Sequence, residues 1–186
     1  SPILKSLKDL FKNDFRFKNL ESIFSASLNQ QNWANATRYW ISKVFEKENL
    51  IVIDADDVKL KKLFLPVFKN ELEKQFIYNS VENTNNKLRS LGYEPKINPR
   101  VLNLFFLEDK KRHRIIFENN VFKIGDSNLK LEEILSLLNS SPEKFSPNVL
   151  MRPIYQELLL PNLVYVGGPS ELVYWSQLKK SFDQED

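Results

Sequence analysis

The chain contains no cysteine and one histidine, His113, among 186 residues. The first absence excludes disulfides, thiolate zinc sites and a cysteine nucleophile within it. The second leaves no histidine cluster for a metal, and His113 reads as a strand residue without a catalytic role. Only 4 glycines are present, without GxGxxG spacing or the Lys-Ser/Thr of a Walker loop, so a phosphate-cradling loop is excluded. No apolar run approaches the roughly 18 residues of a membrane span, and no signal pattern opens the chain. Charge of one sign is also lacking. The 27 basic and 24 acidic residues leave +3, too little for a long-range field, so neither nucleic acid nor a membrane is an expected partner. These features imply a soluble, cytoplasmic protein. The one methionine is Met151, and the opening Ser1-Pro2 suggests an internal piece of a longer protein.

What is present is apolar and aromatic: 42% hydrophobic residues, with 14 Phe, 6 Tyr and 3 Trp. A chain of this size buries about 70% of its unfolded surface, so it can close a real core. Spacing predicts helices over 2–12, 20–28 and 32–48, the last with a stripe of Trp33, Ala36, Trp40, Ile41, Val44 and Phe45 read as core. Asn49 suits a left-handed cap. "LIVID", Leu50 to Asp54, has the continuous apolar character of a strand covered on both faces, as in parallel sheets. A helix follows over 58–91, with Pro66 as a kink or break. Between Tyr93 and Leu131 the period changes to two, predicting an antiparallel meander with Asn119-Asn120 at a tight turn. A short helix "LEEILSLLN", a loop, and a helix from Pro153 to Leu160 lead to "NLVYV", a second buried strand. The fold class is α/β, a core interrupted by inserted modules.

The stretch after "NLVYV" reads "GGPSELVYW", a strand, glycine turn and helix of the kind at which open α/β sheets bind ligands. Glu171 sits in the first helical turn, where it complements the helix dipole or receives an ammonium or hydroxyl group. Arg152 stands before Pro153, so an extended backbone is expected, with its cation at a helix start. It either shares an anion with the free amides there or pairs with a carboxylate such as Glu157. Gln156 lies one turn on, on the same face. The basic run Lys110 to Arg114 reads as a solvated hairpin tip, since it lacks the interleaved aromatics of a nucleic-acid platform. Asp54, Asp56 and Asp57 read as an acidic loop capping the next helix, not as a cation site.

"LIVIDADDVKLKKLFLPVFKNEL", "NLFFLEDKKRHRIIFENNVFKI" and "FSPNVLMRPIYQELLLPNLVYVGGPSELVYWSQLK" together resemble the BshC family, the cysteine-adding enzymes of bacillithiol biosynthesis, from about Trp33 to Lys179. The resemblance implies a partial Rossmann-like core, akin to class I aminoacyl-tRNA synthetases and nucleotidyltransferases, with inserted helical and small antiparallel β modules. It implies a helical segment over 1–48, core over 49–92, an insertion over 93–147, and core again over 148–186. It further implies a ligase that adds L-cysteine to glucosaminyl-malate. In full length such an enzyme would carry a coiled coil, a nucleotide and a homodimer interface. No cofactor and no metal are expected within this chain, and the isolated piece is expected to be inactive. The implied substrate-binding candidates are Arg152, Gln156, Gly167, Gly168, Glu171, Tyr174 and Trp175, with catalytic residues unassigned. The alternative is a non-catalytic α/β module for ligand binding or oligomerisation.

Overall fold

The computed structural model describes residues 2–11, 14–109 and 111–183, and the chain divides into two compact units, Ser1–Ala55 and Asp56–Asp186. The first unit is helical: α1 (Pro2–Leu10), α2 (Phe15–Leu28) and α3 (Trp33–Val44). Asn32 starts α3 by accepting from the Asn35 amide at 2.9 Å, the N-cap role its short polar side chain suits. Phe24 of α2 packs on Trp40 of α3 with ring centres 5.6 Å apart. Asn49 adopts the expected left-handed conformation, at φ 52°, after a 3-10 turn over Glu46–Glu48. The stripe on α3 is not core, however. None of its residues is buried and Trp33 is 84% exposed, since three short helices offer too little opposing surface to close around it.

The expected strand at 50–54 does not form either. The segment has no ladder, and Leu50, Ile51 and Ile53 are exposed. An apolar run specifies burial but not a partner, and a strand exists only where a neighbour takes its amides and carbonyls.

The second unit begins with α4 (Val58–Leu63), α5 (Leu65–Lys74) and α6 (Phe76–Ser90). Asp57 caps α4 through the Lys59 amide at 2.8 Å, as the acidic-loop reading required. The predicted single helix breaks at Phe64 and at Gln75, whose φ is 49°, whereas Pro66 lies in the first turn of α5 where its missing N–H costs nothing. A five-stranded sheet follows, of order β4-β3-β2-β1-β5 with every pairing antiparallel: β1 (Leu104–Glu108), β2 (Lys111–Glu118), β3 (Val121–Ile124), β4 (Ser127–Leu129) and β5 (Phe145–Pro147). Asn119 and Asn120, at φ 52° and 60°, form the two-residue turn joining β2 to β3, which needs positive φ at both positions. α7 (Leu131–Ser140) lies between β4 and β5.

Leu104, Phe106, Ile115, Phe122 and Ile124 turn one sheet face inward, where they join Phe64, Phe68 and Leu72 from the helices and Ile134 and Leu138 of α7 in one core. The fold is therefore mixed α/β. Its only described sheet is antiparallel, not the parallel core expected. Lys111 to Arg114 belong to β2 itself rather than to a hairpin tip; the turn includes Asp109, at φ 51°, and Lys110 lies outside the described residues. Among the described residues no helix is long and apolar enough to cross a membrane.

The chain ends in α8 (Arg152–Leu159), α9 (Pro169–Ser176) and α10 (Lys179–Phe182). "NLVYV" is again not a strand; Leu163 is fully exposed and Val166 91% exposed, for want of a pairing partner among the described residues.

Two buried polar networks fix these last helices. In the first, Glu71 is wholly buried and accepts from the Ile77 amide at 3.1 Å and from the Asn103 amide and side chain at 2.8 and 3.0 Å. Asn103 in turn accepts from the Asn148 side chain at 2.8 Å, and its carbonyl accepts from the Asn148 amide at 2.9 Å. In the second, Gln177 at the end of α9 donates to Asn85 of α6 and to the Ile97 carbonyl, and accepts from the Ile97 amide at 3.2 Å.

Candidate functional site

Asn148 decides where Arg152 goes. Its side-chain oxygen accepts from the Leu150 and Met151 amides at 2.9 and 3.2 Å, and its carbonyl accepts from the Arg152 amide at 3.0 Å. This Asx turn starts the helix early enough that Arg152 is its first residue. The extended backbone expected before Pro153 is thus overridden by a local cap anchored, through Asn103, to Glu71. Pro153, Ile154 and Tyr155 are buried and seat α8 in the core, leaving Arg152 exposed and Gln156 half-buried.

At the other helix, Gly168 is the N-cap, Pro169 the first helical residue, and Glu171 accepts from the Gly168 amide at 3.1 Å. This is the half of a capping box that a glycine cap allows. Tyr165 stacks on Trp175 with ring centres 3.8 Å apart and planes 10° from parallel. Its hydroxyl is hydrogen-bonded to Glu171; burial, then the Glu171 carboxylate, hold it above its usual pKa. Gly167 is needed here because a Cβ would lie 2.6 Å from the Tyr165 ring. The two glycines thus shape a turn around Tyr165 and do not line the cleft that follows.

Five of the seven sequence candidates, Arg152, Gln156, Glu171, Tyr174 and Trp175, line a single cleft of about 410 Å³ between the β5–α8 corner and α9. Arg152 and Glu171 face this shared space without forming an ion pair. Glu157, the alternative partner for Arg152, is occupied by the Asn162 amide and side chain at 3.1 and 2.9 Å. The Arg152 guanidinium makes no hydrogen bond or ion pair with any described residue. The buried indole nitrogen of Trp175 also has no protein acceptor among the described residues.

Of the other residues lining the cleft, Tyr165 and Arg112 place a ring and a cation there that sequence reasoning does not single out. Tyr165 looks like a strand residue in an apolar run, and Arg112 is hidden in a basic run. Arg112 reaches the cleft because β2 lies one strand from β5, and its side chain crosses β1 over Phe105 to Ser146 and Pro147. One terminal nitrogen donates to the Pro147 carbonyl at 2.8 Å and to the Ser146 hydroxyl at 3.3 Å. Its guanidinium carbon lies 4.0 Å from the centre of the Phe105 ring. Burial, then the charge of Arg152, lower the Arg112 pKa from its usual value. The period-two pattern that predicted β2 could have shown Arg112 and Arg114 sharing a face, but not what that face meets.

A larger hollow of about 720 Å³ borders the cleft along the outer sheet face, sharing Arg112, Asn148 and Val149. We place the site in the smaller cleft because cations, a carboxylate, an amide and aromatic faces converge there. Among the described residues no group of histidine, cysteine, aspartate or glutamate could hold a metal ion.

The whole chain, residues 1–186, matches the family model described as bacillithiol biosynthesis BshC, N-terminal Rossmann-like domain. Among its relatives, a Flavobacterium johnsoniae protein named "Putative cysteine ligase BshC" is 47% identical over 158 residues, 84% of this chain and 30% of the relative. A Flavobacterium psychrophilum protein of the same name is 43% identical over 167 residues, 88% of this chain and 31% of the relative. One from Bacillus cereus is 31% identical over 187 residues, 96% of this chain and 35% of the relative. The chain thus spans about a third of the length of these curated relatives.

Proposed function

Because the chain belongs to the BshC family, matching its N-terminal Rossmann-like domain, we propose that it is part of a cysteine ligase that adds L-cysteine to glucosaminyl-malate, and that the Arg152–Glu171 cleft receives a substrate. The observation that carries this reading is the convergence of Arg152, Gln156, Glu171, Tyr174 and Trp175 on one cleft. The substrates carry carboxylates on malate and cysteine and amines on glucosamine and cysteine. Arg152, whose guanidinium has no hydrogen-bond or ion-pair partner among the described residues, binds a carboxylate through its planar fork. Glu171 accepts from an ammonium group, since a carboxylate has about four lone-pair sites and only two bonds from the protein are described here. The Tyr165–Trp175 stack walls the cleft with aromatic surface suited to the apolar face of a sugar ring. The indole N–H of Trp175 remains for a ligand oxygen.

These groups bind and orient; the catalytic residues and the nucleotide assigned to the full-length enzyme are left to the rest of the protein. The isolated chain is accordingly inactive with cysteine, glucosaminyl-malate and ATP, in a cytoplasmic enzyme whose full-length form is a homodimer.

The test is made in the full-length enzyme, on Arg152→Ala and Glu171→Gln. Each variant loses about 1.5–3 kcal/mol of substrate or transition-state binding, the range for hydrogen bonds to charged groups, which is roughly ten- to a hundredfold. Thermal stability is measured on the same samples. Lower melting temperatures with unchanged kinetic constants would make both residues helix-end framework and move the site elsewhere.

A further inference from the structure

We propose that Arg112 is a second anion anchor in the cleft, forming with Arg152 a two-pronged subsite that selects a dicarboxylate over a monocarboxylate. The inference rests on the reading of the cleft as a substrate site and deepens it by assigning a further residue that sets its specificity. Both guanidinium groups line the same cleft, yet they come from different elements, Arg112 from β2 and Arg152 from the first turn of α8. The hydrogen-bond and ring partners of Arg112 are neutral, the Pro147 carbonyl, the Ser146 hydroxyl and the face of Phe105; the Asp56 carboxylate, ion-paired to Lys61, acts on it only at longer range. The two hydrogen bonds use one terminal nitrogen; the other N–H groups of the guanidinium make no hydrogen bond with a described residue.

The one carboxylate lining the cleft, Glu171, is engaged with the Gly168 amide and the Tyr165 hydroxyl. Two cations share the cleft with no described carboxylate bonded to either; their repulsion outweighs the longer-range pull of Asp56 on Arg112, and a bound anion removes that cost. Two planar forks presented from separate elements match two separate carboxylates better than one compact anion.

The experiment measures equilibrium binding to the full-length protein of three probes: L-malate, a malate monoamide in which one carboxylate is neutralised, and inorganic phosphate. The wild type binds malate about tenfold or more tightly than the monoamide, the value of one charge-assisted contact. In Arg112→Met, which keeps an apolar stem on Phe105, the ratio falls to near one, while circular dichroism and melting report the fold. A ratio unchanged in Arg112→Met overturns the proposal, as does phosphate binding more tightly than malate.

A second measurement needs no variant. Malate protects Arg112 and Arg152 of the wild type from phenylglyoxal, read by mass spectrometry, and an unprotected Arg112 also overturns the proposal. Loss of the ratio in Arg152→Ala but not in Arg112→Met removes only Arg112 from the site. Unchanged malate binding in both variants removes the substrate-cleft reading itself.

Discussion

Glu71 gives the sharpest quantitative expectation. The carboxyl is completely buried, and burial raises its pKa from 4.5 to about 7 against the pull of the bonds from Ile77 and Asn103. In the unfolded chain it ionises near the lower value. Between the two values the folded state therefore holds more proton than the unfolded state, so this group's contribution to stability is intact below 4.5 and is lost as pH rises through about 7. A difference of about 2.5 pH units at 1.36 kcal/mol each amounts to about 3 kcal/mol.

Glu71→Gln has nearly the same shape and cannot ionise, so it removes this dependence while other titrating groups act equally on both proteins. The constant offset between variant and wild type includes the hydrogen bond that a Gln amide cannot accept from Ile77. The change in that offset with pH isolates the ionisation. Urea unfolding of both proteins at intervals from pH 4 to pH 8.5 should show the stability difference moving by about 3 kcal/mol in favour of the variant. For a chain of this length that corresponds to a relative melting shift of about 6–12 °C. Curves that stay parallel across the window would refute the reasoning, since Glu71 would then ionise alike in both states.

Gln177→Ala should cost about 1–3 kcal/mol for each polar group it orphans, Asn85 and the Ile97 amide, and loosen α9 and α10 from α6; hydrogen exchange on α10 reads this directly. Gly167→Ala should push the Tyr165 ring off Trp175, because its Cβ would lie 2.6 Å from that ring, and the near-ultraviolet circular dichroism of the stack should fall while the far-ultraviolet signal holds. Asn120→Gly should stabilise the β2–β3 turn by up to about 1 kcal/mol, since φ of 60° suits glycine better; an unchanged or lower melting temperature would contradict this. Duplex DNA should bind weakly or not at all near physiological salt. Five phosphate contacts from the basic run would give a log–log salt slope of roughly −4.5, and such a slope would show that Arg112 and its neighbours meet phosphate.

The periodicities that survive folding are the local ones. Period two predicted β1 to β3, and Asn119-Asn120 predicted their turn, because residue preference for positive φ acts within a few bonds. Gly168, Pro169 and Glu171 predicted the start of α9 for the same reason. Pro66 was correctly seen as a boundary but on the wrong side of it, because proline is compatible with a first turn as well as with a break.

"LIVID" and "NLVYV" fail for a different reason. Their composition asks for two covered faces, and no ladder partner is supplied to either among the described residues. Arg152, Gln156 and Glu171 were legible through charge at helix starts and spacing along one helix, features of adjacent sequence, whereas Tyr174 and Trp175 came from the family resemblance. That the five line one cleft is seen only in the fold. Arg112 was not legible, since it lies 40 positions before Arg152 and reaches the cleft only through the β2–β1–β5 order. The sequence by itself determined the turns, the caps and the inward face of the sheet, all fixed by short-range sterics and alternation. Tertiary structure alone decided that a buried Glu71 would anchor Asn103 and Asn148 beneath α8, and that two arginines from distant segments would share one cleft. Contacts between distant segments depend on which surfaces the whole chain can bury together, and no local spacing records that choice.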